Sequence, residues 1–265
     1  MSLAFELSGV SVRRGRTDLL QDCSISLPRG GFLAVLGPNG AGKSTLLGLL
    51  SASQRASAGC VRLLGAEPFL LSGLARCRLR RRIGWVPQLH TKGADGVPLT
   101  VREVVEMGRA GVRGLGRRLT SGDRAICAAA MEQVAVMEIA QRPFGVLSGG
   151  EQRKVQIARA LAQEPELLLL DEPAGHLDFF WQEVITELIG RLWRDLGLTV
   201  VMVTHDPRHL PGGITAAALM ERGGIIAFGT PGEVLRSQRL SDLYGLPVQA
   251  REVRGRIVVL PEAVL

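Results

Sequence analysis

Residues Gly37 to Thr45 read GPNGAGKST, and no other stretch restricts the possible folds as much. Two glycines bracket four residues and are followed directly by Lys43 and Ser44, which is the spacing of a phosphate-cradling loop. Gly37, Gly40 and Gly42 allow left-handed backbone angles that turn the amides inward around Pro38, Asn39 and Ala41. Lys43 then reaches the outer phosphates, and the Ser44 hydroxyl is placed to ligate Mg²⁺. The flanks agree with this reading. FLAVL (Phe32 to Leu36) suits a buried strand, and TLLGLLSA (Thr45 to Ala52) suits a helix whose N-terminus faces the phosphates. By itself the loop specifies a bound nucleoside triphosphate and leaves its use open, because kinases, GTPases and motor ATPases share it.

A chain of 265 residues with 46% hydrophobic content has room for one large α/β domain, or for a core with an appended lobe. No apolar run reaches the roughly 18 to 20 residues that cross a bilayer, and MSLAFELSG has neither a basic lead nor a cleavage site, so a cytoplasmic location is expected. Cys23, Cys60, Cys77 and Cys127 are scattered without a C-x-x-C pair, and His90, His176, His205 and His209 lack ligand spacing. Neither a disulfide framework nor a structural metal is expected. The net charge of +7, concentrated partly in Arg76 to Arg82 and in Arg113, Arg117 and Arg118, fits nucleic acid, anionic headgroups or a solvated surface. Only 4% aromatic content leaves little for base stacking.

From Phe5 to Leu36 the pattern is strand-like, with turns at Arg14 to Arg16 and at Pro28 to Gly31, and Val61 to Gly65 reads as a further strand of a small antiparallel sheet. IGWVPQ is a strand that ends at Gln88, a polar side chain suited either to Mg²⁺ or to an ordinary loop. Between about Leu89 and Val146 the periodicity turns helical. Val101, Val104 and Val105 recur on one face, and Thr120 to Asp123 form a capping box before a helix carrying Ile126, Ala130, Val134 and Met137 on its inner face. Gly111, Gly114 and Gly116, mixed with arginines, predict a mobile connector between those helices.

In LSGGEQRKVQIARALA, a serine and two glycines stand before a helix with Val155, Ala158 and Leu161 on one side. Free amides there offer either a second anion site or a plain N-cap. LLLLDEP reads as a buried strand ending in two carboxylates, where Asp171 can hold Mg²⁺ through water and Glu172 can face the γ-phosphate and polarise the attacking water. TVVMVTH is a second buried strand, ending in His205, which is suited either to a hydrogen bond with the γ-phosphate or to a structural place in the loop. Ile185, Leu188, Ile189, Leu192 and Leu196 line one face of the helix between them, which Gly197 terminates. ALMERGGIIAFG and QAREVRGRIVVL read as hairpins, the second turning near Arg254 and Gly255, and Thr230 to Glu233 as a capped helix start.

Together these residues closely resemble the ATP-binding cassette ATPases over nearly the whole chain. The Walker A loop corresponds to Gly37 through Thr45, the Q-loop glutamine to Gln88, the LSGGQ signature to Leu147 through Gln152, the Walker B aspartate and catalytic glutamate to Asp171 and Glu172, the D-loop aspartate to Asp178, and the switch histidine to His205. The resemblance implies an α/β P-loop NTPase (RecA-like) core with an N-terminal antiparallel β subdomain and a helical subdomain. As a single cassette the chain divides into a core at 1–88 and 147–240, a helical part at about 89–146 and a C-terminal hairpin extension at 241–265. It also implies ATP and Mg²⁺ as ligands, the metal held by Ser44, Gln88 and Asp171. Two chains pair head to tail, so that Ser148, Gly149, Gly150 and Glu151 of one meet ATP held by the other. Glu172, His205 and Lys43 carry the catalysis.

Two departures from the family pattern stand out. Arg14 occupies the place of the usual adenine-stacking aromatic, where it either stacks on the base or is a solvated turn residue. The D-loop is Gly175-His176-Leu177-Asp178, and Ala174 replaces the usual threonine after the proline. Within the family, PLTVREVVEMGR, the HLD of the D-loop and the ending LSDLYGLPVQAREVRGRIVVLPE are similar to cassettes of bacterial metal-chelate importers, serving siderophore iron, haem or cobalamin. That likeness implies a separate integral membrane permease, a periplasmic or lipid-anchored binding protein, and residence on the cytoplasmic face of the inner membrane. Zinc, manganese and oxyanion importers remain rivals. So does a non-transport cassette acting on nucleic acid or ribosomes, although nucleic acid is not an expected partner. An inactive regulatory cassette is disfavoured by intact Lys43, Asp171, Glu172 and His205.

Overall fold

The computed structural model describes residues 2–88, 99–114, 117–253 and 255–262; His90, Gly116 and Arg254 of the sequence reading lie outside them. β1 (Leu3–Arg14) and β2 (Thr17–Pro28) form an antiparallel hairpin, β3 (Phe32–Leu36) leads into the glycine loop and α1 (Lys43–Leu50), and β4 (Ala58–Leu63) returns to pair with β1. Next come α2 (Gly73–Arg81), β5 (Ile83–Val86), α3 (Val101–Arg113), α4 (Ser121–Gln133) and α5 (Gly149–Leu161). β6 (Leu167–Asp171), α6 (Phe179–Leu196), β7 (Thr199–Thr204), β8 (Ala216–Glu221) and β9 (Gly224–Gly229) complete the core. The chain continues through α7 (Pro231–Val234), α8 (Ser237–Tyr244) and the hairpin of β10 (Val248–Val253) and β11 (Arg256–Pro261).

The main sheet has the order β5-β6-β7-β3-β8-β9, parallel except for the β9 edge. Every residue of β3, β6 and β7 is buried, as expected of parallel strands covered on both faces. Side-chain alternation divides the interior. Phe32, Ala34 and Leu36 face a core shared with α3 to α6, whereas Leu33 and Val35 face the core under β1, β2, β4 and α1. Leu36 pairs with Thr204 and Asp171 with Val203, so the loops after β3, β6 and β7 leave the same sheet edge side by side. In open parallel sheets that carboxyl edge is where ligand sites form.

Several local expectations are corrected. α3 runs through Gly111 to Arg113, so the connector begins only at Gly114, whose φ is 100°. The helix end is fixed because Arg109 and Arg113 both donate to Asp123, at 2.8 and 2.7 Å. That carboxylate also caps α4 through Thr120, and it is 1% exposed. On α4 the inward residues are Cys127, Ala130 and Met131, while Ile126 is only partly buried. The helix stops at Gln133, so Val134 and Met137 belong to the following turn rather than to its face. Leu196, the last residue of α6, is 40% exposed, because the helix outruns the core there before Gly197 ends it at φ 61°. Gly149 and Gly150 form the first turn of α5 rather than preceding it, with Ser148 as the N-cap.

Candidate active site

The glycine loop is shaped by what surrounds it. A Cβ on Gly37 would overlap the Met220 carbonyl, and one on Gly42 would lie 2.8 Å from both the Leu19 carbonyl oxygen and Leu20 Cδ2. Gly42 has φ 102° and caps α1 without any side-chain bond, so the first-turn amides of that helix point into open space. Asn39, Gly40, Ala41, Gly42, Lys43, Ser44 and Thr45 line a cleft of about 480 Å³, together with Gln88, Asp171 and Glu172. Three separate loops are thereby gathered at one sheet edge.

Lys43 is 7% exposed, and its ammonium donates to the Gly37 and Pro38 carbonyls at 2.7 and 3.1 Å. Burial pushes its pKa down, and Glu172 and Asp171 counter that shift. Glu172 Oε1 lies 3.9 Å from Lys43 Nζ, and Oε2 lies 2.7 Å from His205 Nδ1. Glu172 takes φ 44°, a left-handed angle uncommon for a residue with a side chain, while its amide continues the ladder to the Val203 carbonyl at 3.0 Å. The chain thus turns sharply at the end of β6, and the carboxylate stands between a cation and an imidazole. Ser44, Gln88 and Asp171 line the cleft with a hydroxyl, an amide and a carboxylate, whose oxygens make a donor set that suits a hard divalent cation.

Arg14 lies in a neighbouring depression of about 560 Å³ that shares Leu19, Ser44 and Thr45 with the cleft. The signature residues are elsewhere. Ser148 accepts from the Glu151 amide, and Glu151 Oε2 accepts from the Ser148 amide and hydroxyl, each at 2.8 Å, so a reciprocal capping box closes the start of α5. Those bonds hold the Glu151 carboxyl below its ordinary value. A Cβ on Gly150 would overlap the Trp181 ring. Asp178 caps α6, accepting from the Trp181 amide at 2.9 Å. Ser148, Gly149, Gly150, Glu151 and Asp178 do not line the cleft of their own chain.

Sequence reasoning missed several contributors. Thr17, Asp18, Leu19, Arg222 and Gly223 also line the cleft, brought there by the β1–β2 hairpin and the β8–β9 turn, and nothing in their local pattern marks them. The Gly223 amide donates to the Ala41 carbonyl at 3.1 Å, buttressing the glycine loop. His176, at φ 61°, places Nε2 3.3 Å from Gln88 Nε2 and so links the segment after β6 to the end of β5. Arg153 is fully buried and donates to the Pro87 carbonyl at 2.7 Å and the Glu172 carbonyl at 3.5 Å. Burial pushes its pKa down to about 10, against the pull of Asp171.

Comparison with known proteins agrees with this architecture. The family model described as ABC transporter matches residues 20–175. The haemin import ATP-binding protein of Rhodococcus jostii is 37% identical over 98% of this chain and 87% of the relative. The iron(3+)-hydroxamate import ATP-binding protein of Bacillus subtilis is 35% identical over 94% of this chain and 89% of its own length. Among solved structures, one described as an inward-facing metal-chelate type ABC transporter superposes with a TM-score of 0.82 at 28% identity, covering 99% of this chain and 98% of that one. A dimeric bacterial ABC transporter cassette gives 0.70 at 28% identity, over 85% of this chain and 98% of its own.

Proposed function

The chain belongs to the ABC transporter family and is an ABC transporter ATPase, and we propose that it powers uptake of an iron chelate, either haem or a siderophore complex, through a separate permease. The observation that supports this most is likeness along almost the whole chain to haemin and ferric-siderophore import proteins, including the ferric enterobactin transport ATP-binding protein of Escherichia coli at 33% identity over 93% of this chain. Among the described residues no helix is long and apolar enough to cross a membrane, so the path for cargo is assigned to another chain.

In this reading ATP lies with its phosphates on the amides of Gly40 to Thr45. Lys43 exchanges its bonds to the Gly37 and Pro38 carbonyls for the outer phosphates, where it balances developing charge. Arg14, beside Leu19 in the adjoining depression, stacks on the adenine. Ser44, Asp171 and Gln88 would hold Mg²⁺, which supplies charge neutralisation at the phosphates. Glu172 orients and deprotonates the attacking water, and His205 keeps that carboxylate aimed and contacts the γ-phosphate. Ser148 and Gly149 of a second copy, with the helix N-terminus behind them, close over the nucleotide; that neither residue lines the cleft of its own chain supports this arrangement. Asp178, at the start of α6, lies on the same dimer face. The division into a core, a helical part at about 89–146 and a C-terminal extension belongs to this proposal. So does a position against the inner face of the membrane, next to the permease.

The test is a pull-down of tagged Glu172→Gln protein with ATP from gently solubilised membranes, with partners identified by mass spectrometry. Recovery of a polytopic permease together with an iron-chelate binding protein is expected. Recovery of ribosomes or nucleic acid without a permease would overturn the transport reading, and a permease for another cargo would overturn the substrate class.

A further inference from the structure

The segment after β7 carries His205, yet two of its carbonyls are held from the far end of the chain. α8 buries Leu240 and Leu243 in the main core, and the Tyr244 ring packs partly buried against the same cluster. The Tyr244 hydroxyl donates to the main-chain oxygen of His205 at 2.9 Å. From β11, Arg256 donates to the Arg208 carbonyl at 2.9 Å, while its other nitrogen is anchored by Glu183 of α6 at 2.6 Å. The β10–β11 hairpin is tied to α8, because the Ser237 hydroxyl accepts from the Ala250 amide and the Ser241 hydroxyl from the Val248 amide, each at 2.9 Å. The C-terminal elements therefore form one unit that grips the switch segment at residues 205 and 208.

This grip bears on the cleft through one side chain. His205 is 46% exposed, so little packing fixes its ring, and its direction is set by its main chain and by the 2.7 Å contact with Glu172. A hydroxyl holding the carbonyl of that same residue limits rotation about its backbone. Burial pushes the Tyr244 phenol well above its ordinary pKa, so the hydroxyl remains a donor across the working pH range.

We propose that Tyr244 is a positioning residue for ATP hydrolysis: it fixes the backbone of His205 so that the imidazole keeps Glu172 aimed, and the C-terminal unit thereby sets the turnover rate. The proposal rests on the reading of His205 and Glu172 as the hydrolytic pair. Arg256 is a second, independent anchor of the same segment.

Tyr244→Phe removes one oxygen and leaves the ring packing in place. Loss of one hydrogen bond that acts through His205 is expected to lower kcat by roughly 3- to 10-fold. KM for ATP should stay at its wild-type value and the thermal midpoint should fall by no more than a few degrees, as for loss of one hydrogen bond; a kcat loss without a KM change is a split that a merely structural role would not give. In a His205→Ala background, followed by single-turnover hydrolysis, Tyr244→Phe should cause no further loss, because the group it positions is gone. Unchanged kcat in Tyr244→Phe, a rise in KM with unchanged kcat, or an additive loss on top of His205→Ala each overturns the positioning role. If His205→Ala alone turns over ATP normally, the hydrolytic reading itself falls and the positioning role with it.

Discussion

His205 Nδ1 lies 2.7 Å from Glu172 Oε2, joining residues that directly follow the neighbouring strands β7 and β6. The contact depends on Glu172 taking a left-handed backbone angle, φ 44°, which swings its carboxylate toward the cleft instead of along the strand. Its second oxygen faces the Lys43 ammonium at 3.9 Å. One carboxylate is therefore restrained from both sides before any substrate enters.

Glu172→Gln keeps the shape and removes the base. ATP affinity should be retained, and turnover should fall roughly 10²- to 10⁴-fold, the range for loss of a general base. Equilibrium binding of a fluorescent ATP analogue, set beside steady-state phosphate release, checks both halves, and near-normal turnover would remove Glu172 from the catalytic role.

Lys43→Ala should act on binding itself. In the structure the ammonium is satisfied by the Gly37 and Pro38 carbonyls, so its removal also loosens the loop that offers the amides. Titration of the variant should show ATP affinity weakened by roughly 10-fold or more, as for loss of a charge-assisted contact. Unchanged affinity would contradict the phosphate-cradle assignment.

Gly150→Ala places a methyl where the Trp181 ring already lies. The overlap should cost roughly 1 to 3 kcal/mol of stability, as overpacking does, and push the first turn of α5 away from α6. Calorimetry should show that Trp181→Ala recovers part of the loss when combined with Gly150→Ala; simple additivity would mean the two do not meet.

Asp123 gives the protein an acid-sensitive joint. Bonds from the Thr120 hydroxyl, and then from Arg109 and Arg113, hold its carboxyl well below the ordinary 3.8. A depressed folded-state pKa contributes stability that is fully present above that ordinary value and is lost as pH falls toward the folded one. Asp123→Asn should lower the thermal midpoint by several degrees near neutral pH and flatten its decline between about pH 5 and about pH 3. An equal slope in both proteins would show that this network does not contribute to acid sensitivity.

Much of this molecule is legible in the order of its residues. GPNGAGKST, LSGGEQ, LLLLDEP and TVVMVTH are each short and local, and the physics behind them is local as well: glycines that permit inward amides, a serine and a glutamate that cap each other, and apolar runs that must be buried strands. At the start of the α3–α4 connector Gly111 suggests looseness, whereas Arg109 and Arg113 reach across to the buried Asp123 and the helix runs on through Arg113. Exposed Leu196 and inward Cys127 show the same limit, since periodicity marks a face but not where the neighbouring element ends.

The buried strands that end at the site, the phosphate loop and the identity of the carboxylates follow from the amino-acid order, because those depend on residue type and spacing within one turn or one strand. Which distant groups complete the site depends on how the elements pack. Arg222 and Gly223 arrive on the β8–β9 turn, Arg153 spans the Pro87 and Glu172 carbonyls, and Tyr244 reaches the carbonyl of His205. Gly223, Arg153 and Tyr244 make their contacts through carbonyl oxygens of residues distant in the chain, and every residue has one, so no side-chain pattern along the chain distinguishes the carbonyls that are used.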